Sequence, residues 1–179
     1  MSGTARIILK GNVVSKFYST KTYGNDRGLS CCFRQWRATH SHCSTIHGYA
    51  IGIKLVFGCE SLDDKNWVMD FGGLKEFKAW AEYMFDHTLV VAKDDPLLSY
   101  FEEMSRIVNM GAPDPNSKVP HERGAVCDLR IVDGVGCEMF AKLCHEKMTE
   151  ILCNKGNSRV YVKSAEVFEH AGNSAIYEV

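Results

Sequence analysis

An alternating run of apolar side chains from Tyr49 to Phe57 is the feature that most constrains the fold of this 179-residue chain. Successive residues of a β-strand point to opposite faces, so every second member of this run lies on one apolar face. The members of that face are Tyr49, Ile51, Ile53, Leu55 and Phe57. A second strand is predicted over 29–39, and the short connector between the two predicts an antiparallel hairpin.

Two other segments repeat apolar residues at helical spacing. The first runs from about Gly73 to Phe85. The second runs from about Cys137 to Cys153 and is followed by the stop signal Asn154-Lys155-Gly156. Shorter elements are predicted as strands at 67–71, 126–132, 159–170 and 175–179, a helix at 96–108 and a loop at 111–124. This order predicts an α+β fold, in which an antiparallel sheet carries its helices on one face.

Length and composition narrow the class of protein. The chain is short enough to form one domain over residues 1–179, and its net charge of −1 lacks the basic footprint of a nucleic-acid-binding protein. No apolar run approaches the roughly 18 residues that a membrane span needs, and no secretory signal is recognisable, so we expect a cytoplasmic protein. Eight cysteines without a CxxC pair are then free thiols or ligands.

Three histidines and a cysteine gather at the predicted hairpin turn. His40 and His42 are two residues apart and can share a strand face, and the hairpin folds His47 back toward them. Three imidazoles with a fourth position open are the arrangement of a catalytic zinc site. Cys43 lies in the same turn, where a nearby cation favours the reactive thiolate. The alternative is a solvated polar turn with Cys43 as a small buried side chain, and spacing alone leaves both open.

Two more positions carry acid–base or recognition chemistry. Asp86 precedes His87 at the end of the first predicted helix, where the carboxylate can orient the imidazole for proton transfer. The alternative is ordinary polarity at a helix end, where the dipole favours a histidine. Glu169 lies near the end of a predicted strand and can accept two hydrogen bonds from a guanidine-like edge. An exposed strand glutamate is the alternative there.

These residues fall in the order of a known family's motifs. Trp36–His40 stands in the place of Phe-x-Ala-x-His, and Cys43–Tyr49 in that of Cys-x-x-x-His-Gly-His. Further matches are Val68–Lys75 to Val-x-Asp-Phe-Gly-x-Leu-Lys, Asp86-His87 to the family's Asp-His pair, Glu138 to a helix-start glutamate, and Val167–Tyr177 to the closing Val-x-Glu-Thr…Ala-x-Tyr. Over residues 30–178 the chain resembles the family of 6-pyruvoyltetrahydropterin synthase and 6-carboxytetrahydropterin synthase.

The resemblance implies a tunnelling fold, in which a four-stranded antiparallel sheet has two main helices packed on one face. It also implies a homo-oligomer, usually a hexamer, with active sites at subunit interfaces and Zn²⁺ as cofactor. The implied substrate is 7,8-dihydroneopterin triphosphate. In the family pattern Cys43 is the proton-abstracting thiolate, Asp86 and His87 are its acid–base partners, and Glu169 anchors the pterin ring.

The activity that the resemblance favours is a 6-carboxy-5,6,7,8-tetrahydropterin synthase-like lyase in 7-deazaguanine (queuosine-type) biosynthesis. The alternatives are 6-pyruvoyltetrahydropterin synthase activity and a pterin- or purine-binding homologue that has lost catalysis. No residue of the sequence distinguishes the two product branches. Residues 1–28 lie before the matched motifs and form an N-terminal extension of unassigned role.

One family ligand is missing from this sequence. Tyr49 occupies the position of the third zinc-binding histidine, and a phenol is a poor zinc ligand at neutral pH. The connector between His40 and Cys43 is also shorter than the family usually has. Our hypothesis is that His42, which the family pattern lacks, supplies the missing imidazole. The predicted zinc ligands are therefore His40, His42 and His47.

Overall fold

Eight strands and three α-helices make up the computed structural model, which describes residues 16–107 and 126–179. The strands are β1 (Phe17–Tyr23), β2 (Ser30–Phe33), β3 (His47–Ala50), β4 (Gly52–Cys59), β5 (Thr88–Ala92), β6 (Leu129–Val132), β7 (Tyr161–His170) and β8 (Asn173–Glu178). The helices are α1 (Lys75–Phe85), α2 (Leu98–Arg106) and α3 (Cys137–Asn154), and the predicted loop at 111–124 lies outside the described residues.

The main sheet has the strand order β1-β4-β7-β8, and all of its neighbours are antiparallel. Helix α3 packs across β4, β7 and β8, and α1 lies beside α3. The core between sheet and helices is filled by fully buried side chains, among them Phe57, Phe77, Phe85, Phe140, Met148 and Val167. The predicted antiparallel sheet with two main helices on one face is confirmed.

The predicted apolar face of the run Tyr49–Phe57 is confirmed from Ile51 onward, because Ile51, Ile53, Leu55 and Phe57 are all 0% exposed. The run is nevertheless divided between two strands. The residues up to Ala50 form β3, which pairs with β2, whereas β4 pairs with β1 and β7. The predicted hairpin is therefore short, and its register pairs Ser30 with Ala50 and Phe33 with His47.

A second sheet, with the order β3-β2-β5-β6, was not predicted. Strand β5 is parallel to both β2 and β6, and all five of its residues are buried. Strands of parallel sheets are covered on both faces and lose the alternation of polar and apolar residues. For that reason the sequence Thr88–Ala92 carries no period-two signal and was missed.

Two predictions of local structure were wrong. Residues 67–71 form no strand, since Trp67 is 48% exposed and the Asp70 side chain accepts a hydrogen bond from the amide of Gly72, which starts a short 3-10 turn. The strand predicted over 29–39 ends at Phe33. In addition, the N-terminal segment contributes β1, which forms one edge of the main sheet. Among the described residues no helix is both long and apolar enough to cross a membrane.

Candidate active site

The loop 34–46, which carries two of the three candidate metal ligands, His40 and His42, is anchored at its base. The Arg34 guanidinium donates to both carboxylate oxygens of Asp95, at 2.9 and 2.6 Å, and the Asp95 side chain is only 1% exposed. The amide of Gln35 donates to the carbonyl of Cys43 at 2.8 Å and closes the loop. The backbone of Cys43 is thus held against the end of β2.

The turn itself is helical and not extended. His42–Ser44 forms one turn of 3-10 helix, and the Ser41 hydroxyl caps it by accepting a hydrogen bond from the amide of Cys43 at 3.2 Å. His40 and His42 are exposed, whereas Cys43 is half-buried. The strand parity that was predicted to align His40 with His42 is therefore absent, because β2 ends before either residue.

His47 has a defined tautomer. Its Nδ1 lies 2.6 Å from the carbonyl oxygen of Thr45, and a carbonyl can only accept, so Nδ1 carries the proton. Its Nε2 then accepts a hydrogen bond from the Tyr49 hydroxyl at 2.5 Å. The ring of His42 is also close, with its centroid 5.9 Å from that of His47. The structure thus brings two of the three predicted ligands together.

Tyr49 lies at the centre of this group of residues. Burial raises the pKa of Tyr49, and electrostatic interactions with Glu169, Cys43 and Cys137 raise it further. Charge effects of this kind require proximity, so the thiol of Cys43 and the carboxylate of Glu169 both lie near the phenol. We call Cys43, His47, Tyr49, Cys137 and Glu169 the site cluster.

Cys137 was missed by the sequence analysis. It is the first residue of α3, where a helix dipole would favour a thiolate, yet burial together with Glu169 and Glu138 raises its pKa to about 12. A hydrogen bond to Glu169 contributes to this rise. The thiol therefore stays protonated near the carboxylate. Its position next to Glu138 in the family motif is the signal that could have identified it.

Glu169 lies at a β-bulge. The pairing of β7 with β8 shifts register between Phe168 and His170, and this leaves Glu169 without a partner residue in β8. Bulges bend a strand and redirect side chains, and they are frequent beside active sites. Asn25 holds the bulge in place, because its side-chain amide donates to the carbonyls of Ala50 at 2.5 Å and of Glu169 at 3.0 Å. Asn25 is a second residue that sequence reasoning missed.

Asp86 and His87 form a separate pair. The Asp86 carboxylate is hydrogen-bonded to Nδ1 of His87, whose imidazole is 77% exposed. His87 has a φ of +57°, and its amide donates to the carbonyl of Ser30 at 2.7 Å. Strand β2 lies between β3 and this pair, so about two strand spacings, roughly 10 Å, separate it laterally from the strand carrying His47. By this order the Asp86-His87 pair lies across β2 from the strand that carries His47 and Tyr49.

Comparison with known proteins identifies the family. A family model described as 6-pyruvoyl tetrahydropterin synthase matches residues 25–179. The chain belongs to this family. The match begins inside the segment 1–28 that the motifs had left outside, which agrees with the contact of Asn25 to the site cluster.

Individual relatives of the 6-pyruvoyl tetrahydropterin synthase family are distant. The 6-carboxy-5,6,7,8-tetrahydropterin synthases of Rickettsia bellii and Rickettsia conorii are 30% and 32% identical over 54 residues, which is 30% of this chain and 39% of either relative. An uncharacterized protein from Wolinella succinogenes superposes with a TM-score of 0.64 at 20% identity, covering 92% of this chain and 97% of its own. The 6-pyruvoyltetrahydropterin synthase of Plasmodium vivax gives 0.56 at 16% identity, covering 91% and 97%. At these identities the solved structures establish the shared fold.

The donor atoms present can be compared with those that a zinc ion requires. The Nε2 lone pair of His47, fixed by the Thr45 contact, and the neighbouring ring of His42 supply two imidazoles, which suit zinc. The third position is not assembled: within residues 16–107 and 126–179 no three His, Cys, Asp or Glu side chains are grouped closely enough to hold a metal. Moreover, the Tyr49 hydroxyl takes up the lone pair of His47. The predicted set His40, His42 and His47 therefore stays a prediction.

Proposed function

We propose that this protein is a lyase that converts 7,8-dihydroneopterin triphosphate to a 6-carboxytetrahydropterin product, a reaction that serves 7-deazaguanine (queuosine-type) biosynthesis. The observation that supports it most is the site cluster, in which a thiol, Cys43, and a carboxylate, Glu169, lie near the same tyrosine, Tyr49. The names of the two Rickettsia relatives favour the 6-carboxy branch over the 6-pyruvoyl branch.

In this proposal Glu169 recognises the pterin ring. A carboxylate accepts two parallel N–H bonds from the amino-pyrimidine edge of a pterin, as it does from a guanidinium. The Cys137 thiol lies near the Glu169 side chain. Thiols are weak donors, so the two N–H groups of the ring are the better partners for the carboxylate. The bulge and the Asn25 contact keep the backbone of Glu169 in place meanwhile.

Cys43 and His87 each carry out one of the two proton transfers in this proposal. The Cys43 thiolate accepts a proton from a carbon of the substrate's side chain, and His87 exchanges a proton with an oxygen of that chain. The hydrogen bond that Nδ1 of His87 donates to the Asp86 carboxylate leaves Nε2 of the exposed imidazole available to the substrate. Asp86 orients the imidazole.

A homo-oligomer, a hexamer in the family pattern, completes the site in this proposal. The Asp86-His87 pair lies across β2 from the strand that carries His47 and Tyr49, and in this proposal the pair of one subunit serves the site cluster of another. Mixing two inactive variants, Cys43→Ala and His87→Asn, tests this arrangement. Sites shared between subunits regain activity in mixed oligomers, because some sites then contain both intact halves. Absence of recovery, with mixed oligomers verified by mass spectrometry, would exclude a shared site.

Zinc held by His40, His42 and His47 is the third part of the proposal. When bound, zinc acts as a Lewis acid on substrate oxygens. The proximity of the His42 and His47 rings supports a metal at this turn. Metal analysis of a His42→Ala variant, with exposed His170→Ala as a matched control, measures the contribution of His42. Full metal content in His42→Ala at neutral pH would remove His42 from the ligand set.

Product analysis tests the activity itself. The purified chain is incubated with 7,8-dihydroneopterin triphosphate, with and without a chelator, and the products are identified by mass spectrometry. The proposal expects 6-carboxytetrahydropterin with acetaldehyde and triphosphate, whereas the 6-pyruvoyl branch releases triphosphate alone. Cys43→Ala is expected to lose turnover, while Cys153→Ala, a change at an exposed thiol, is expected to retain it. Normal turnover by Cys43→Ala would exclude Cys43 as the base.

A second candidate function is a pterin- or purine-binding protein without catalysis. The observation that favours it is the hydrogen bond from Tyr49 to His47, which occupies a family ligand position with a phenol. This candidate predicts saturable binding of the pterin triphosphate without any product, with or without added zinc. Formation of product would exclude it.

A further inference from the structure

We infer that Tyr49 competes with divalent metal for His47, so that this chain binds metal weakly and exchangeably. The inference rests on the metal site of the proposed function and concerns the contribution of this chain's own tyrosine. Its basis is the pair of hydrogen bonds that occupies both nitrogens of the His47 ring.

Only one atom of His47 can bind a metal. The Nδ1 proton is donated to the carbonyl of Thr45, two residues before His47 in the same chain segment. A backbone carbonyl in this role is the usual partner that orients a metal-binding histidine. The Nε2 lone pair is then the coordinating atom, and it is this lone pair that accepts the hydroxyl hydrogen of Tyr49.

Tyr49 is well placed to compete. It lies two residues after His47 in β3, so both side chains share one face of the strand. Its ring packs at 5.3 Å from that of Phe33 and at 4.9 Å from that of His47. A partly buried ring with a defined packing partner loses little conformational entropy when its hydroxyl makes the hydrogen bond. The Tyr49 hydroxyl is therefore always close enough to compete with a metal ion for Nε2 of His47.

A metal ion must therefore displace the hydroxyl before it reaches Nε2. A hydrogen bond of this type has a net value that corresponds to about a fivefold to tenfold change in an equilibrium constant. Removing the hydroxyl while keeping the ring should raise metal affinity by that factor. A histidine at position 49 would add a metal ligand, whereas Tyr49 lowers the metal affinity of the neighbouring ligand, His47.

The test measures Zn²⁺ affinity of the purified full chain by competition with a chromophoric chelator, without any pterin. Tyr49→Phe is expected to bind Zn²⁺ five to ten times more tightly than the wild type. His47→Ala is expected to lose that binding. Tyr177→Phe is the matched control, because Tyr177 also packs against a histidine ring, that of His145 at 5.1 Å, and its variant should equal the wild type.

Three results would overturn the inference: equal or weaker Zn²⁺ binding by Tyr49→Phe, unchanged binding by His47→Ala, or no Zn²⁺ binding by either wild type or Tyr49→Phe. Circular dichroism confirms that each variant is folded, and Tyr49→Leu, which also lacks the hydroxyl, replaces Tyr49→Phe if the latter is unfolded. Because metal is the only ligand added, an enzyme that fails to turn over the pterin substrate leaves this measurement unaffected.

Discussion

The side-chain amide of Asn25 donates a 3.0 Å hydrogen bond to the backbone carbonyl of Glu169, 144 residues further along the chain. The same amide reaches the carbonyl of Ala50 at 2.5 Å. A primary amide has two hydrogens, so one side chain can join the end of β3 to the bulge in β7. Asn25 thereby connects the strand of His47 and Tyr49 to the candidate pterin anchor.

Asn25→Ala should loosen the pterin anchor without touching the reacting groups. Losing two hydrogen bonds to backbone carbonyls is expected to cost about 1–2 kcal/mol of stability. If Glu169 binds the ring, KM for the pterin triphosphate should rise about tenfold while kcat changes less than about twofold. Asn154→Ala, at the exposed end of α3, is the control. Unchanged KM in Asn25→Ala would contradict a positioning role.

The backbone of His87 permits a clean test of its imidazole. With φ at +57°, this residue adopts a left-handed conformation that asparagine tolerates better than alanine does. His87→Asn should therefore fold normally and lose turnover by about a hundredfold or more, as loss of a general acid–base group does. His87→Ala should lose the same activity and about 1 kcal/mol of stability in urea unfolding. Normal turnover by His87→Asn would remove the acid–base role.

The Arg34–Asp95 pair predicts a pH dependence of stability. Burial acts to raise the pKa of Asp95, but hydrogen bonds from Arg34 and from the amide of Leu97 outweigh it and hold the pKa below its usual value. A carboxyl with a depressed pKa in the folded state stabilises the fold above its unfolded pKa, about 4. That contribution is lost as the pH falls through the lower, folded value.

Asp95→Asn is accordingly expected to lower the free energy of unfolding by about 2 to 3 kcal/mol at pH 7, because the partly buried guanidinium of Arg34 loses its partner charge. The difference in free energy of unfolding between variant and wild type should shrink below about pH 4, where the carboxyl of the unfolded wild type binds its proton. Urea unfolding at pH 7, 5 and 3 measures the gap. Asp64→Asn serves as the exposed control. A gap that stays constant over this range would contradict the prediction.

The cysteines should differ widely in the rate at which their thiols are alkylated. Burial is the main cause that raises the pKa of both Cys31 and Cys137 to about 12, whereas Cys153 is exposed. Because the thiolate is the reacting species, iodoacetamide at pH 8 should label Cys153 at least about a hundredfold faster than Cys31 or Cys137. Time-resolved mass spectrometry of the folded chain measures these rates, and the unfolded chain in urea is the control. Equal labelling of Cys137 and Cys153 would contradict the burial of the Cys137 thiol.

Periodic patterns in the sequence predicted most of the fold. The face formed by Ile51, Ile53, Leu55 and Phe57 and the helix from Cys137 are confirmed, because a period of two or of 3.6 residues reports directly which side is buried. The ordered motifs also predicted the family correctly. Strand β5 was missed since a strand covered on both faces has no such period. The strand at 67–71 was wrong because Asp70 caps a 3-10 turn instead.

The sequence by itself determined the α+β class, the family and a set of candidate residues, because each of these depends on local spacing or on motif order. Tertiary structure decided how those residues meet. It placed His42 in a 3-10 turn, joined Tyr49 to His47, brought Cys137 and Asn25 near Glu169, and put Asp86 and His87 across β2 from β3. The last two relations arise from strand pairings and contacts between residues far apart in the chain. The turn at His42 and the bond between Tyr49 and His47 are local, but they depend on where β2 ends and β3 begins, and hydrophobic periodicity carries no information on either.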